Sequence, residues 1–205
     1  EPIWATKAET ASRLRGRMEA ILDWATVRKY RTGENPARWK GHLDTLLPAR
    51  GKVARVQHFA ALPWKEVGDF MKALSGQPGI GALALQFTIL TAARSGEVRG
   101  MTWDEVDLDD GLWVIPAERM KAGREHRIPL CQPAVSLLKE LKPFRNEGEK
   151  VVFPSIRDRK PLSDMTLTAV LRRMGRKDLT VHGFRSTFRD WAAEATDFPA
   201  EMAEM

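Results

Sequence analysis

The sequence is poor in the residues that would tie it to an oxidising compartment or carry it across a bilayer. Its 205 residues include one cysteine, Cys131, so an internal disulfide and a cysteine-based zinc site are both excluded. A reducing, cytoplasmic setting is the expectation. No apolar run approaches the roughly 18 residues of a membrane helix, and no charged start leads into an apolar stretch as in a signal peptide. Tyrosine occurs once, at Tyr30. The four histidines, His42, His58, His126 and His182, are scattered, and Asp107, Asp109 and Asp110 read as an exposed turn, so a metal-dependent nuclease is the weakest functional reading. The first residue is Glu1 rather than Met, and the sequence reads as a fragment.

What is there is a globular composition with uneven charge. Hydrophobic residues make up 43%, enough for a real core, which excludes a disordered chain. Residues 1 to 60 hold 12 Lys+Arg against 6 Asp+Glu. The remainder is balanced overall, but its signs separate. Arg94 to Glu118 carries 2 basic and 7 acidic residues, and Arg119 to Arg189 carries 17 basic and 7 acidic ones. Basic blocks of this kind point to a polyanion, most often nucleic acid. The predominance of arginine favours phosphate oxygens as the target, because the guanidinium fork matches them.

Periodicity predicts a mainly α protein with a small antiparallel sheet. Thr6-Lys7-Ala8-Glu9 has the spacing of a capping box. It predicts a helix carrying Leu14, Met18, Ile21, Leu22 and Ala25 on one face and fading near Tyr30. Asn35-Pro36 predicts a second helix through Trp39, Leu43, Leu46 and Leu47 to Pro48. These two helices, residues 1–48, are too little for a domain and look like the end of a larger helical unit. Residues 49–62, with Arg50, Lys52 and Arg55, read as a basic linker. A second unit, residues 63–205, opens with an amphipathic helix from Trp64 to Ser75. A nearly all-apolar helix from Ala82 to Ala93 follows, then a helical turn from Ser95 to Gly100. Strands are expected at 112–115 and 127–130 around a turn at 120–125. Further helices are expected at 133–142, after Ser163, and within 180–196, where Phe184, Phe188, Trp191 and Ala195 would face the core.

Three segments of this second unit offer cations. On the last helix His182, Arg185 and Arg189 share one face at i, i+3, i+7. Arg94 ends the apolar helix, and a buried arginine there needs an anionic partner. Glu97, three residues on, could be that partner, and so could a substrate phosphate. Lys121 sits in the hairpin turn. Each has a bland reading as well: a solvated helix face, a local ion pair, an exposed turn lysine.

Taken in order, these segments resemble the tyrosine recombinase family, the phage-type integrases. The resemblance lies in Thr91-Ala92-Ala93-Arg94-Ser95-Gly96-Glu97-Val98, then Trp103-Asp104-Glu105-Val106-Asp107. It continues in Met120-Lys121 before Ile128-Pro129-Leu130, and in His182-Gly183-Phe184-Arg185-Ser186-Thr187-Phe188. It looks closest to integrases of prophages and genomic islands in Gram-negative bacteria. It implies a recombinase catalytic domain over residues 63–205, preceded by part of a helical core-binding domain. It implies a tyrosine that attacks a DNA phosphate to form a 3′-phosphotyrosyl link, with no metal and no cofactor. Arg94 and Arg185 would then stabilise the transition state, Lys121 would protonate the leaving 5′ oxygen, and His182 would assist proton transfer. Arg13, Arg17, Arg50 and Lys52 in the front, with Arg124 and Arg189, are the candidate DNA contacts. The implied partner is double-stranded DNA at attachment sites, bound as a tetramer, with no membrane. The family's tyrosine is expected beyond Met205, and Tyr30 is not expected to replace it, so this polypeptide is expected to bind DNA without cutting it. A non-catalytic DNA-binding module is the alternative.

Overall fold

In the computed structural model, residues 2–53, 61–120 and 122–198 are described. The chain divides into two compact units, residues 1–58 and 59–205.

The first unit is built on a short helix α1 (Pro2–Thr6) and a long one, α2 (Ala8–Val27). The expected capping box does not form. Thr6 is the last residue of α1, and Lys7 is the N-cap of α2 with no side-chain capping bond. Helix α2 ends three residues earlier than predicted. Lys29 turns left-handed (φ 62°), Tyr30 N–H reaches Ala25 C=O at 2.8 Å and Lys29 N–H reaches Thr26 C=O at 3.0 Å. Those crossed bonds satisfy the helix's last carbonyls and reverse the chain. The second predicted helix is absent. Asn35 does cap, its side chain accepting from Ala37 N–H at 2.9 Å. Beyond it the backbone is irregular, with Gly41 at φ 73° and a single 3-10 turn, Leu43–Thr45. This return strip lies on α1 through a Trp4–Trp39 stack at 5.3 Å and a Trp4 Nε1 bond to Pro48 C=O at 2.9 Å, and on α2 through Arg15, which donates to Ala37 C=O at 2.9 Å. It is too narrow to cover the predicted apolar face. Ala8 and Ala11 are buried, while Leu14, Met18 and Ile21 remain exposed. Of the basic segment after Pro48, a short helix α3 (Arg50–Val53) is described, and residues 54–60 lie outside the described residues.

Glu19 fastens the strip to α2. Its carboxylate accepts from Arg15 Nη1 and, at 3.1 Å, from Trp39 N–H. The Arg15 bond, then the Trp39 amide, hold Glu19 below the usual glutamate range. A carboxyl depressed in the folded state stabilises above its ordinary value of about 4.3, and that contribution is lost as pH falls through the folded value. Acidification below the ordinary glutamate range is therefore expected to loosen the bond between Glu19 and the Trp39 amide. The Trp39 amide resonance followed by NMR reports this. The same transition persisting in Glu19→Gln would show that another group controls it.

The second unit centres on α5. Helix α4 (Val67–Ser75) follows a 3-10 turn at Trp64–Glu66, buries Phe70 and Leu74, and packs Val67 and Met71 on the core, as its spacing predicts. Helix α5 (Ile80–Thr91) is apolar nearly all round and touches α4, α6 (Ser95–Arg99), α7 (Gln132–Leu141) and α8 (Thr166–Arg173). Gly81 allows the α5–α8 approach, since a Cβ there would lie 2.9 Å from Thr166 Cγ2. Helix α8 starts at Thr166 rather than at Ser163, whose hydroxyl lies 2.9 Å from that of Thr166. An antiparallel sheet, β1 (Val106–Asp107), β2 (Leu112–Ile115) and β3 (His126–Pro129), pairs in that order, with Trp113 opposite Ile128. Trp113, Ile115 and Ile128 point to the core, and Phe87 packs against Trp113 and Phe153 with ring centroids 5.6 Å apart in each case. The apolar segment 151–153 bonds back on 101–103 (Val152 N–H to Met101 C=O, 2.9 Å). The last helix, α9 (Gly183–Ala195), buries Phe184, Thr187 and Ala192. Phe188 and Trp191 do not enter the core as expected. They stay 40% and 38% exposed, packed on each other, because Thr187 holds the buried position by donating to Leu62 C=O at 2.7 Å.

Candidate nucleic-acid phosphate site

The site begins where α5 stops. Ala92 caps it in the left-handed conformation (φ 50°), which swings the chain out of the helix. A non-glycine residue there costs on the order of 1 kcal/mol. The turn after it presents Arg94 at the head of α6. Glu97 accepts from Arg94 N–H at 2.9 Å and from Arg94 Nη1 at 2.7 Å. The expected burial of Arg94 is reversed: its side chain is 54% exposed, and the Glu97 side chain is the buried member, at 9%. A buried carboxylate thus orients an outward-facing guanidinium. That suits an arginine meant to meet an external anion, since its own desolvation cost is low.

Helix α9 supplies the opposite wall. His182 is its N-cap residue, and Arg185 follows one turn in. Arg185 is half-buried and donates to Ala92 C=O, which fastens α9 to the turn before Arg94. Burial, then the charge of Arg94, pulls its pKa below the usual arginine value; Glu97 opposes the shift and Arg189 adds to it. Two guanidinium groups are therefore held close enough to repel, and the charge of Glu97 opposes that effect.

Arg94, His182 and Arg185 line this one cleft of about 420 Å³, although the first and last lie 91 positions apart in sequence. Arg119, from the 3-10 turn after β2, lines it too. Sequence reasoning gives Arg119 no role; the signal for it is an arginine two positions before Lys121. Lys121 lies outside the described residues. Arg189 is exposed on α9 and contributes charge to Arg185. Arg124 is exposed near the tip of the β2–β3 connection. In the first unit, Arg13 and Arg50 both pair with Glu9, and Arg17 and Lys52 are exposed. Asp107 is occupied in its own turn, accepting from Asp109 N–H at 3.0 Å and Asp110 N–H at 2.9 Å. Among the described residues no three His, Cys, Asp or Glu side chains group as a metal ion would require, and no helix is long and apolar enough to cross a membrane.

The second unit is thus mainly helical with a three-stranded sheet, and it places two arginines and a histidine along one cleft between a helix-end turn and a helix N-terminus. The chain belongs to the phage integrase family. The model of that family matches residues 61–199, and that of the phage integrase central domain matches residues 1–42. The chain is 36% identical over 203 residues to prophage integrase IntZ of Escherichia coli K12, covering 98% of this chain and 48% of the relative. It is 31% identical over 207 residues to the integrase of enterobacteria phage P4, covering 92% and 45%. It thus spans about half the length of the curated relatives it matches. Among solved structures, a lambda integrase tetramer bound to a Holliday junction has the same fold, with a TM-score of 0.68 at 22% identity over 97% of this chain and 58% of that one. The Tn1549 transposon integrase bound to circular intermediate DNA matches with a TM-score of 0.69 at 13% identity, over 98% and 73%.

Proposed function

We propose that this chain forms the phosphate-binding part of a site-specific DNA recombinase that cuts and rejoins duplex DNA through a 3′-phosphotyrosyl intermediate in the whole protein. The observation that carries the reading is the convergence of Arg94, His182 and Arg185 on one cleft. In the reaction a tyrosine oxygen attacks the phosphorus, the bond to the 5′ oxygen breaks, and a proton passes to that oxygen. Arg94 and Arg185, already fixed by Glu97 and by Ala92 C=O, meet the negative charge that builds on the non-bridging oxygens. Donors set in place beforehand need no reorganisation as that charge develops. His182 assists proton transfer at the attacking oxygen, and Lys121 is assigned the leaving-group proton. The sequence's one tyrosine, Tyr30, is exposed in the first unit and tilted against Trp24, and it is not assigned the attack.

In this reading residues 63–205 act as the catalytic domain, residues 1–48 as part of a core-binding domain and residues 49–62 as a linker. The partner is double-stranded DNA at attachment sites, engaged by a tetramer in the bacterial cytoplasm. Arg13, Arg17, Arg50, Lys52, Arg124 and Arg189 contact the DNA backbone.

Two measurements test this. The present chain is expected to bind duplex DNA with an affinity that falls about 10³-fold or more between 50 and 200 mM salt, as for six or more neutralised phosphates. Arg124→Ala should reduce the slope of log affinity against log salt by about one. The full-length gene product is expected to form a covalent adduct on a nicked attachment-site substrate, seen on a denaturing gel. Salt-dependent binding without any adduct from the full-length protein would instead establish a non-catalytic DNA-binding module.

A further inference from the structure

One wall of the cleft carries an ion pair that the proposed chemistry does not use. Arg119 donates through Nη1 to both oxygens of Glu105 and through Nη2 to the backbone carbonyl of Glu97. The pair is withdrawn from solvent, with the Glu105 side chain 8% exposed and that of Arg119 24%. Glu105 Oε2 also accepts from Trp113 Nε1 at 2.9 Å, and Trp113 is wholly buried against Phe87. The guanidinium lies so close to α6 that a Cβ on Gly100 would fall 2.9 Å from Arg119 Nη2. Glu97 is the residue whose carboxylate orients Arg94. A continuous chain of bonds therefore runs from the core through Trp113, Glu105 and Arg119 to the backbone of Glu97, and through its side chain to Arg94.

We infer that Arg119 is a positioning residue: it locks the α6 turn, and with it the Arg94 guanidinium, to the sheet. This rests on the recombinase reading. The fork is needed for the task. One planar group bridges a carboxylate and a carbonyl in fixed geometry, whereas a lysine ammonium is a point charge that cannot hold both partners in one plane. Arg119 spends two of its donors on protein partners, so it is placed to aim a phosphate ligand, and the ligand itself is Arg94.

The test uses the full-length gene product and the nicked substrate. Arg119→Lys and Gly100→Ala each disturb that chain of bonds, the first by removing the fork and the second by displacing it while every charged group remains. Both are expected to lower the adduct rate at saturating DNA by at least about tenfold, as expected for a misplaced transition-state donor. DNA affinity and its salt slope should stay within about twofold of the parent, since no phosphate contact is lost. Adding Arg119→Lys to Arg94→Ala should cost little more than Arg94→Ala alone, because both act through one guanidinium. A folded Arg119→Lys protein cleaving at the parental rate overturns the inference. So does a reduced salt slope, which would make Arg119 a direct phosphate contact, or a loss of rate that only tracks a loss of melting temperature across both variants. Failure of the parent protein to form any adduct would instead defeat the recombinase reading itself.

Discussion

Arg185→Ala in the full-length protein is expected to lower covalent adduct formation by about 10²- to 10³-fold, the usual cost of removing one preset donor to a developing oxyanion. Arg94→Ala should behave alike. DNA affinity should fall far less, because each change removes one phosphate contact among several. The two variants differ in their structural consequences. Arg185 is half-buried beside Arg94, where burial and then the like charge disfavour its charged form and Glu97 favours it. Removing it takes away a desolvated charge together with one hydrogen bond to Ala92 C=O, and the melting temperature should change little. Arg94→Ala leaves the buried Glu97 carboxylate without its guanidinium partner, keeping only the Arg94 amide. That variant should be less stable, since uncompensated buried charge is costly. Thermal melts beside single-turnover adduct assays separate the two effects. A folded Arg185→Ala protein that forms adduct at the parental rate would remove the cleft from the mechanism.

Phe87→Ala is expected to cost about 3–5 kcal/mol, the range for deleting a buried aromatic ring. Phe87 is fully buried on α5 between Trp113 and Phe153. For a unit of this size each kcal/mol corresponds to about 2–4 °C, so the melting temperature should fall by roughly 6–20 °C. The damage should also reach the site, because Trp113 holds Glu105 and Glu105 holds Arg119. Phe188→Ala is the matched control. That ring is 40% exposed on α9, and its loss should cost about 1 kcal/mol. Chemical denaturation of both variants checks the ranking; an equal loss from the two would mean that Phe87 is not at the centre of the core.

The second unit was legible because its sequence signals are local and agree with one another. The all-apolar run at Ala82–Ala93, the short apolar run at 112–115 and the spacing of Val67, Phe70, Met71 and Leu74 each specify one element. The first unit was less legible. Asn35-Pro36 is a sound helix start, and Asn35 does cap, yet Gly41 turns left-handed within the predicted helix and the strip is fixed by Trp4, Arg15 and Glu19 instead. Those partners are distant in sequence, so no local propensity could announce them.

The candidate site divides in the same way. The identities and order of Arg94, Glu97, His182 and Arg185 were readable from the chain, because i, i+3 spacing decides which neighbours can meet. That Arg94 faces outward while Glu97 is buried was not, because burial depends on what packs against the turn. Nor was the strut from Trp113 through Glu105 to Arg119. The sequence by itself determined the cationic groups, their helical faces and the family they mark. Only the tertiary structure decided which of them share a cleft and what holds them there, because those bonds join residues as far apart as Ala92 and Arg185, and only the packing of α9 and the sheet around α5 brings such pairs within reach.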